Sequence, residues 1–142
     1  MRFVSFVVHL FLVRVGGWLL LLCRLLVVYQ PVSFAISAAA ALGSLSSRGT
    51  GLVVALAIRL VVIALCIAAG LALTNRQPGA VRLARIALVL SAACDVFIYT
   101  TPYYPNNRAP GDTPIYIAAS LAYHTTWLVY LSRSKRVHLL YP

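Results

Sequence analysis

The apolar residues of this chain run in long blocks rather than in the alternating or three-to-four-residue patterns of half-buried elements. Leu19 to Phe34 is apolar apart from Arg24, Gln30, Pro31 and Ser33. Gly51 to Leu73 is broken only by Arg59, Leu83 to Thr101 holds Arg85, Ser91 and Asp95, and Ile115 to Ser132 holds His124. About 20 consecutive apolar residues are enough to cross the hydrocarbon core of a bilayer. The pattern therefore predicts an all-α integral membrane bundle of four transmembrane helices. Their spans lie near residues 16–42, 51–73, 83–101 and 115–132 of one domain. Met1 to Arg14 carries Arg2, Ser5 and His9 at spacings of three and four, so it reads as a short N-terminal interfacial helix or a pre-span segment. A signal peptide fits less well, because no small-residue cleavage site closes a short apolar region.

The breaks between the blocks read as turns. Gly43 to Thr50, with Ser44, Ser46, Ser47, Arg48 and Gly49, is a predicted loop. Thr74 to Gly79 is a predicted tight turn, and Tyr99 to Pro114 a longer loop stiffened by four prolines. Pro114 suits the first position of the fourth helix. Pro31 lies inside the first span and predicts a kink, since proline lacks an N–H and its ring presses on the preceding turn. A five-span alternative divides the first region into Phe3–Leu22 and Leu25–Leu45. It leaves only two residues between helices and submerges Arg14. In the second span, Ala55, Ala64, Ala68, Ala69, Gly70 and Ala72 allow the close backbone approach that drives helix packing in lipid.

Composition strengthens this reading. The 142 residues are 62% hydrophobic and 10% charged, against roughly 25% charged in a soluble domain. The net charge of +10 comes from twelve Lys and Arg against two Asp. A basic balance can indicate nucleic acid, but here the cations flank the apolar blocks, so no nucleic-acid partner is expected. The three cysteines, Cys23, Cys66 and Cys94, all lie inside apolar blocks without paired spacing. They read as small packing residues, not as a disulfide framework or a metal site.

The cations also give an orientation. Trp127 and Tyr130 close the last span, followed by Arg133, Lys135 and Arg136. Aromatics favour the interface, and Lys and Arg mark the cytoplasmic side. Counted by side, Arg2, Arg14, Arg76, Arg82, Arg85, Arg133, Lys135 and Arg136 fall together, opposite Arg48 and Arg108. Both termini are therefore expected in the cytoplasm, with residues 133–142 as a basic tail. Arg82, Arg85, Arg133, Lys135 and Arg136 are candidates for anionic lipid headgroups.

Both ends of the chain resemble a known family. Gly16-Gly17-Trp18-Leu19-Leu20-Leu21 followed by Pro31 resembles the opening of the bacterial inner-membrane family called domain of unknown function 2569. Trp127-Leu-Val-Tyr130-Leu-Ser-Arg133-Ser-Lys135-Arg136-Val137 resembles its closing helix and tail. The resemblance covers roughly residues 15–137 and implies a four-helix inner-membrane protein without an established activity. The chain departs from the family pattern in its short first external loop and in Arg59, where an acidic or polar residue is the expectation.

Ionisable groups inside a bilayer are rare, and they are usually paired or functional. Four occur here: Arg24, Arg59, Asp95 and His124. At about 1.5 Å of rise per residue, Arg59 and Asp95 lie roughly 12 and 9 Å below the outer end, so the two could meet. Arg24 and His124 lie roughly 12–14 Å above the inner rim by the same rise. They could form a second level with Gln30, Ser33, Ser91, Thr125 and Thr126. Each pair reads either as packing glue or as a polar site.

No phosphate-binding glycine loop, HExxH or CxxC motif is present, and Asp95 is the one submerged carboxylate. The chain is therefore not expected to be an enzyme, and no cofactor or metal is expected. Three functions fit: an accessory subunit packing with a membrane partner or with its own copies, a small transporter or channel subunit using the submerged polar groups, or an anionic-lipid-binding protein. The accessory reading leads on sequence alone.

Overall fold

The computed structural model describes residues 17–43, 45–101 and 111–141. The expected interfacial helix and most of the proline-rich loop lie outside them. Among the described residues the chain is all-helical. Its helices are α1 (Trp18–Leu42), α2 (Leu45–Thr74), α3 (Ala80–Thr100), α4 (Thr113–Arg133) and α5 (Lys135–Leu140). Two segments, Trp18–Leu42 and Gly49–Thr74, are long and apolar enough to cross a membrane. α1 continues unbroken through residues 22–25, so the break required by a five-span reading is not there.

Pro31 acts within α1 by widening it. Residues Leu25–Tyr29 form a π-helical turn, in which the Gln30 N–H bonds back to the Leu25 carbonyl. A proline ring clashes with the carbonyl four residues earlier, here that of Val27. The wider turn gives that carbonyl room without a sharp bend, and such widenings often mark functional positions. It leaves the Gln30 side chain buried, with Nε2 donating to Ser91 Oγ on α3 at 3.5 Å.

Two other boundaries differ from the sequence reading. The predicted loop over residues 43–50 contains a helical turn that starts at Leu45 and breaks at Gly49, where φ is 58° and ψ is −147°. α3 begins at Ala80, ahead of the expected Leu83, because Gly79 adopts φ 78° and the Ala80 N–H closes onto Gln77 O at 3.1 Å.

Each helix buries one stripe at three- and four-residue spacing. The main core joins Leu19, Leu22, Cys23 and Leu26 of α1 to Cys66, Ala69 and Leu73 of α2 and to Ala80, Ala84, Ala87 and Leu88 of α3. Trp127 and Leu131 of α4 and Val137 of α5 complete it. A second cluster, Ala41, Leu52, Ala55, Cys94 and Ile98, lies toward the other end. Small residues let the backbones come close, and Gly70 shows how close. A Cβ there would stand 2.5 Å from Val27 Cγ2 and 3.3 Å from the Cys23 carbonyl oxygen.

The expected basic tail contains a packed helix. Ser134 is extended (φ −72°, ψ 115°) and turns the chain so that α5 buries Val137 in the main core. Trp18 meets Trp127 at a ring-centroid distance of 6.4 Å, which brings the start of α1 to the end of α4. The Tyr141 hydroxyl donates to the Leu73 carbonyl at the end of α2.

Two measurements test this packing. Gly70→Ala should destabilise the bundle by about 1–3 kcal/mol through overpacking. Val27→Ala in the same chain should restore most of that loss, as read by thermal unfolding in detergent. Burial pushes the Tyr141 phenol from 10.0 up to about 12, with the Cys23 sulfur adding to the effect and Arg76 opposing it. A raised folded-state pKa means that the tail contact contributes fully below pH 10.0 and is lost as pH rises through about 12. Ultraviolet titration of wild type against Tyr141→Phe should isolate one phenol ionising later than the exposed tyrosines.

Candidate functional site

A chain of hydrogen bonds crosses three helices in the interior. Arg59 of α2 pairs with Asp95 of α3, Nη1 to Oδ1, at 3.0 Å. The other carboxylate oxygen of Asp95, Oδ2, accepts a 2.7 Å bond from Ser120 Oγ of α4. One turn further along, His124 Nδ1 lies 2.8 Å from the Ser120 carbonyl oxygen and 3.4 Å from Ser120 Oγ. A carbonyl can only accept, so Nδ1 carries a proton. The ring's Nε2 is buried without a hydrogen-bond partner. The Tyr123 and His124 rings meet edge to face at 5.0 Å.

The placement follows from register. Asp95 lies five residues in from Thr100, and Ser120 seven residues in from Thr113. At about 1.5 Å per residue these are nearly the same height. Ser120 and His124 are four apart and share a helix face with Tyr116 and Tyr123.

This chain forms one side of a cleft of about 330 Å³. α1 supplies Leu25, Tyr29, Gln30 and Ser33, and α4 supplies Tyr116, Ala119, Ser120, Tyr123 and His124. Arg59, Asp95 and Tyr99 of α2 and α3 form the floor. The mouth lies between α1 and α4, where Tyr29 is 58% and Tyr116 45% exposed. The ion-paired side chains at the floor are only 16% and 14% exposed. The size falls at the lower end of small-molecule pockets.

The arrangement divides the sequence-derived candidates. Arg59, Asp95 and His124 come together in one cluster. Arg24 does not join His124 in a second level: it lies on the exposed side of α1, next to buried Cys23. Depth along a helix says nothing about direction around it, and one residue turns the side chain by about 100°. Gln30 and Ser91 are buried and bonded to each other, while Thr125 and Thr126 face outward.

Among the basic candidates, Arg82, Arg133, Lys135 and Arg136 are exposed. Arg85 is drawn inward, and its Nη2 donates to the Leu131 carbonyl at 3.1 Å. It thereby satisfies one of the carbonyls that a helix end leaves free.

The sequence reading missed Tyr29, Tyr99, Tyr116, Ala119, Ser120 and Tyr123. The spacing of Tyr116, Ser120, His124 and Trp127 carries a signal for the α4 members: a polar and aromatic stripe at four, four and three residues in an otherwise apolar helix. Nothing comparable marks Tyr29, whose direction depends on the π turn.

Chemically, the cluster pairs one positive with one negative charge and leaves the guanidinium facing a cleft. Although Ser120, His124 and Asp95 are neighbours, the serine donates to the carboxylate, and the histidine bonds the backbone. This is not the nucleophile–base–carboxylate order of a hydrolytic triad. No family model matches the chain, and no curated protein or solved structure matches it.

Removing one partner of a buried ion pair strands the other charge. Asp95→Ala should therefore destabilise the protein by about 3–5 kcal/mol. The double variant Arg59→Met/Asp95→Leu should recover most of that stability. Thermal unfolding of the three proteins in one detergent checks this, and equal losses in the single and double variants would refute it.

Proposed function

We propose that this chain is a four-span protein of a bacterial cytoplasmic membrane, with both termini in the cytoplasm, and that its interior cleft binds a small polar solute as part of a transporter or channel. Several features support the four spans. α3 and α4 have 21 residues each, about 31 Å of helix by the rise per residue, which matches a hydrocarbon core of about 30 Å. The outward residues Val32, Ile36, Val61, Val89, Leu121 and Val129 are apolar and exposed, as lipid-facing positions require. Trp18, Trp127 and Tyr130 gather at the same end as Arg82, Arg133, Lys135 and Arg136, in the manner of a cytoplasmic rim. The two end motifs support kinship with the family of domain of unknown function 2569.

The cleft carries the functional reading. A charge pair that only locks two helices is best enclosed, because every group facing lipid without a partner adds to its desolvation penalty. Here the pair faces a lined space of about 330 Å³ with Gln30, Ser33 and Ser120 around it. Space of that kind suits a guest. An accessory role remains the alternative, in which the outer faces pack on a larger partner and the polar cluster serves as glue.

Native mass spectrometry of protein gently extracted from its own membrane separates the two. The solute reading expects wild type to carry a small-molecule mass. Ala119 lines the cleft and is not part of the ion pair; Ala119→Trp places bulk at that wall, and this variant should lose that mass while remaining folded. A stoichiometric protein partner with no bound small molecule would replace this reading with the accessory one.

A further inference from the structure

We infer that the guest of the cleft is a small carboxylate that binds Arg59 together with one proton taken up by Asp95. This inference rests on the solute-binding reading and names its ligand class. Both oxygens of Asp95 are already engaged, Oδ1 by Arg59 and Oδ2 by Ser120. Each oxygen already has one donor, and the Arg59 charge balances the carboxylate, which leaves little net attraction for a cationic guest. The guanidinium has five donors in a planar fork, and Nη1 is the nitrogen bound to Asp95. Arg59 lines the cleft and keeps part of its surface open to it. A planar fork in a low-dielectric space favours a carboxylate held by two parallel bonds.

Charge balance then requires the proton. The Arg59–Asp95 pair balances one guanidinium against one carboxylate, and the His124 Nδ1 proton is bonded to the Ser120 carbonyl. Adding an anion alone would leave a net negative charge inside the bundle, which is strongly disfavoured away from water. Protonation of Asp95 removes that charge. Arg59 transfers its ion pair from Asp95 to the guest, and a proton from solution neutralises Asp95. Ser120 Oγ, 2.7 Å away, stands ready to accept the hydrogen bond of the new carboxyl proton. The charged and titratable groups around Asp95 on the packed helices are Tyr29 on α1, Arg59 and Cys66 on α2, Cys94 and Tyr99 on α3, and Tyr116, Tyr123 and His124 on α4. Arg59 is the one permanent cation among them, so a guest anion that brings one proton with it leaves the Arg59–Asp95 level uncharged. The proton and the guest thus bind interdependently, as coupled transport of an acid would need.

The test is isothermal titration calorimetry of the full chain in nanodiscs with benzoate, and with acetate as a smaller probe. Each is run in two buffers of different ionisation enthalpy, so that proton uptake is read directly on wild type. The expected result is one proton taken up per benzoate. Where that uptake is complete, affinity should rise about tenfold for each pH unit lowered. Asp95→Asn keeps an acceptor for Arg59 and mimics the protonated acid, so it should bind benzoate without proton uptake or pH dependence. Arg59→Gln should lose binding. Tetraethylammonium is the opposite-charge control. If it binds where benzoate and acetate do not, the cleft reading stands and the carboxylate inference fails. If none of the three binds and Ala119→Trp leaves the native mass unchanged, the cleft reading fails as well. Proton uptake that persists in Asp95→Asn would overturn the assignment to Asp95.

Discussion

The Arg59–Asp95 ion pair is the interaction on which the arrangement of α2, α3 and α4 depends. In the lipid setting proposed above, a helix bundle gains little from hydrophobicity, since the surroundings are as apolar as its side chains. Register has to come from shape and from polar contacts. The small residues of α2 and α3 supply shape but are forgiving: sliding one alanine-lined face past another exchanges one shallow groove for the next. A charge pair does not slide. Displacing α3 by one turn moves Asp95 about 5.4 Å along the axis and leaves both charges unpartnered. The bond from Ser120 to the same carboxylate extends that constraint to α4. One carboxylate thereby sets the relative height of three helices.

α1 is held differently. Its close contact with α2 runs through Gly70, where two backbones come so near that a methyl group has no space. Its link to α3 is the neutral Gln30–Ser91 bond. Between these lies the π turn forced by Pro31. A straight α-helix would carry Tyr29 and Gln30 to different directions around the axis, because each widened turn adds a residue and rotates everything beyond it. The proline therefore shapes the cleft at a distance, through the turn that precedes it. The wall formed by α1 is held by packing and one neutral bond, while the floor is held by charge.

The blocks of apolar residues made the existence and order of the helices legible, and their ends fell within a few residues of the turn signals. Gly49 and the segment before it misled, because serine and glycine mark turns yet also tolerate a single helical turn between breaks. The tail misled for a related reason: Lys135 and Arg136 announce solvent, and Val137 is one apolar residue among them. Its burial against Leu73 and Leu131 depends on where α2 and α4 end, which no local pattern states. The site was legible as a set of residues to the extent that charges in apolar blocks stand out. Its membership was not, because height along a helix is linear in sequence whereas direction around it is periodic. Arg24 and His124 agree in height and disagree in direction.

The arginines of this bundle show how one side chain takes three roles according to that direction. Arg24 points outward, where its long stem can lie along apolar surface and carry the charge toward headgroups. Arg85 turns inward at a helix end and bonds the Leu131 carbonyl, so its charge serves backbone that would otherwise lack a donor. Arg59 turns inward away from any helix end, and of the two inward arginines Arg59 and Arg85 among the described residues it is the one that meets a countercharge. The presence of Asp95 follows from the need of an inward guanidinium for a partner. The position of the pair beside a cleft does not, since two charges that merely neutralise one another are served better by close apolar packing on every side. Enclosure was available to this sequence: a larger side chain than Ala119 on α4 would close much of the space. A guanidinium left facing a gap, with its partner carboxylate held also by Ser120, is an arrangement whose unmet capacity is for an anion.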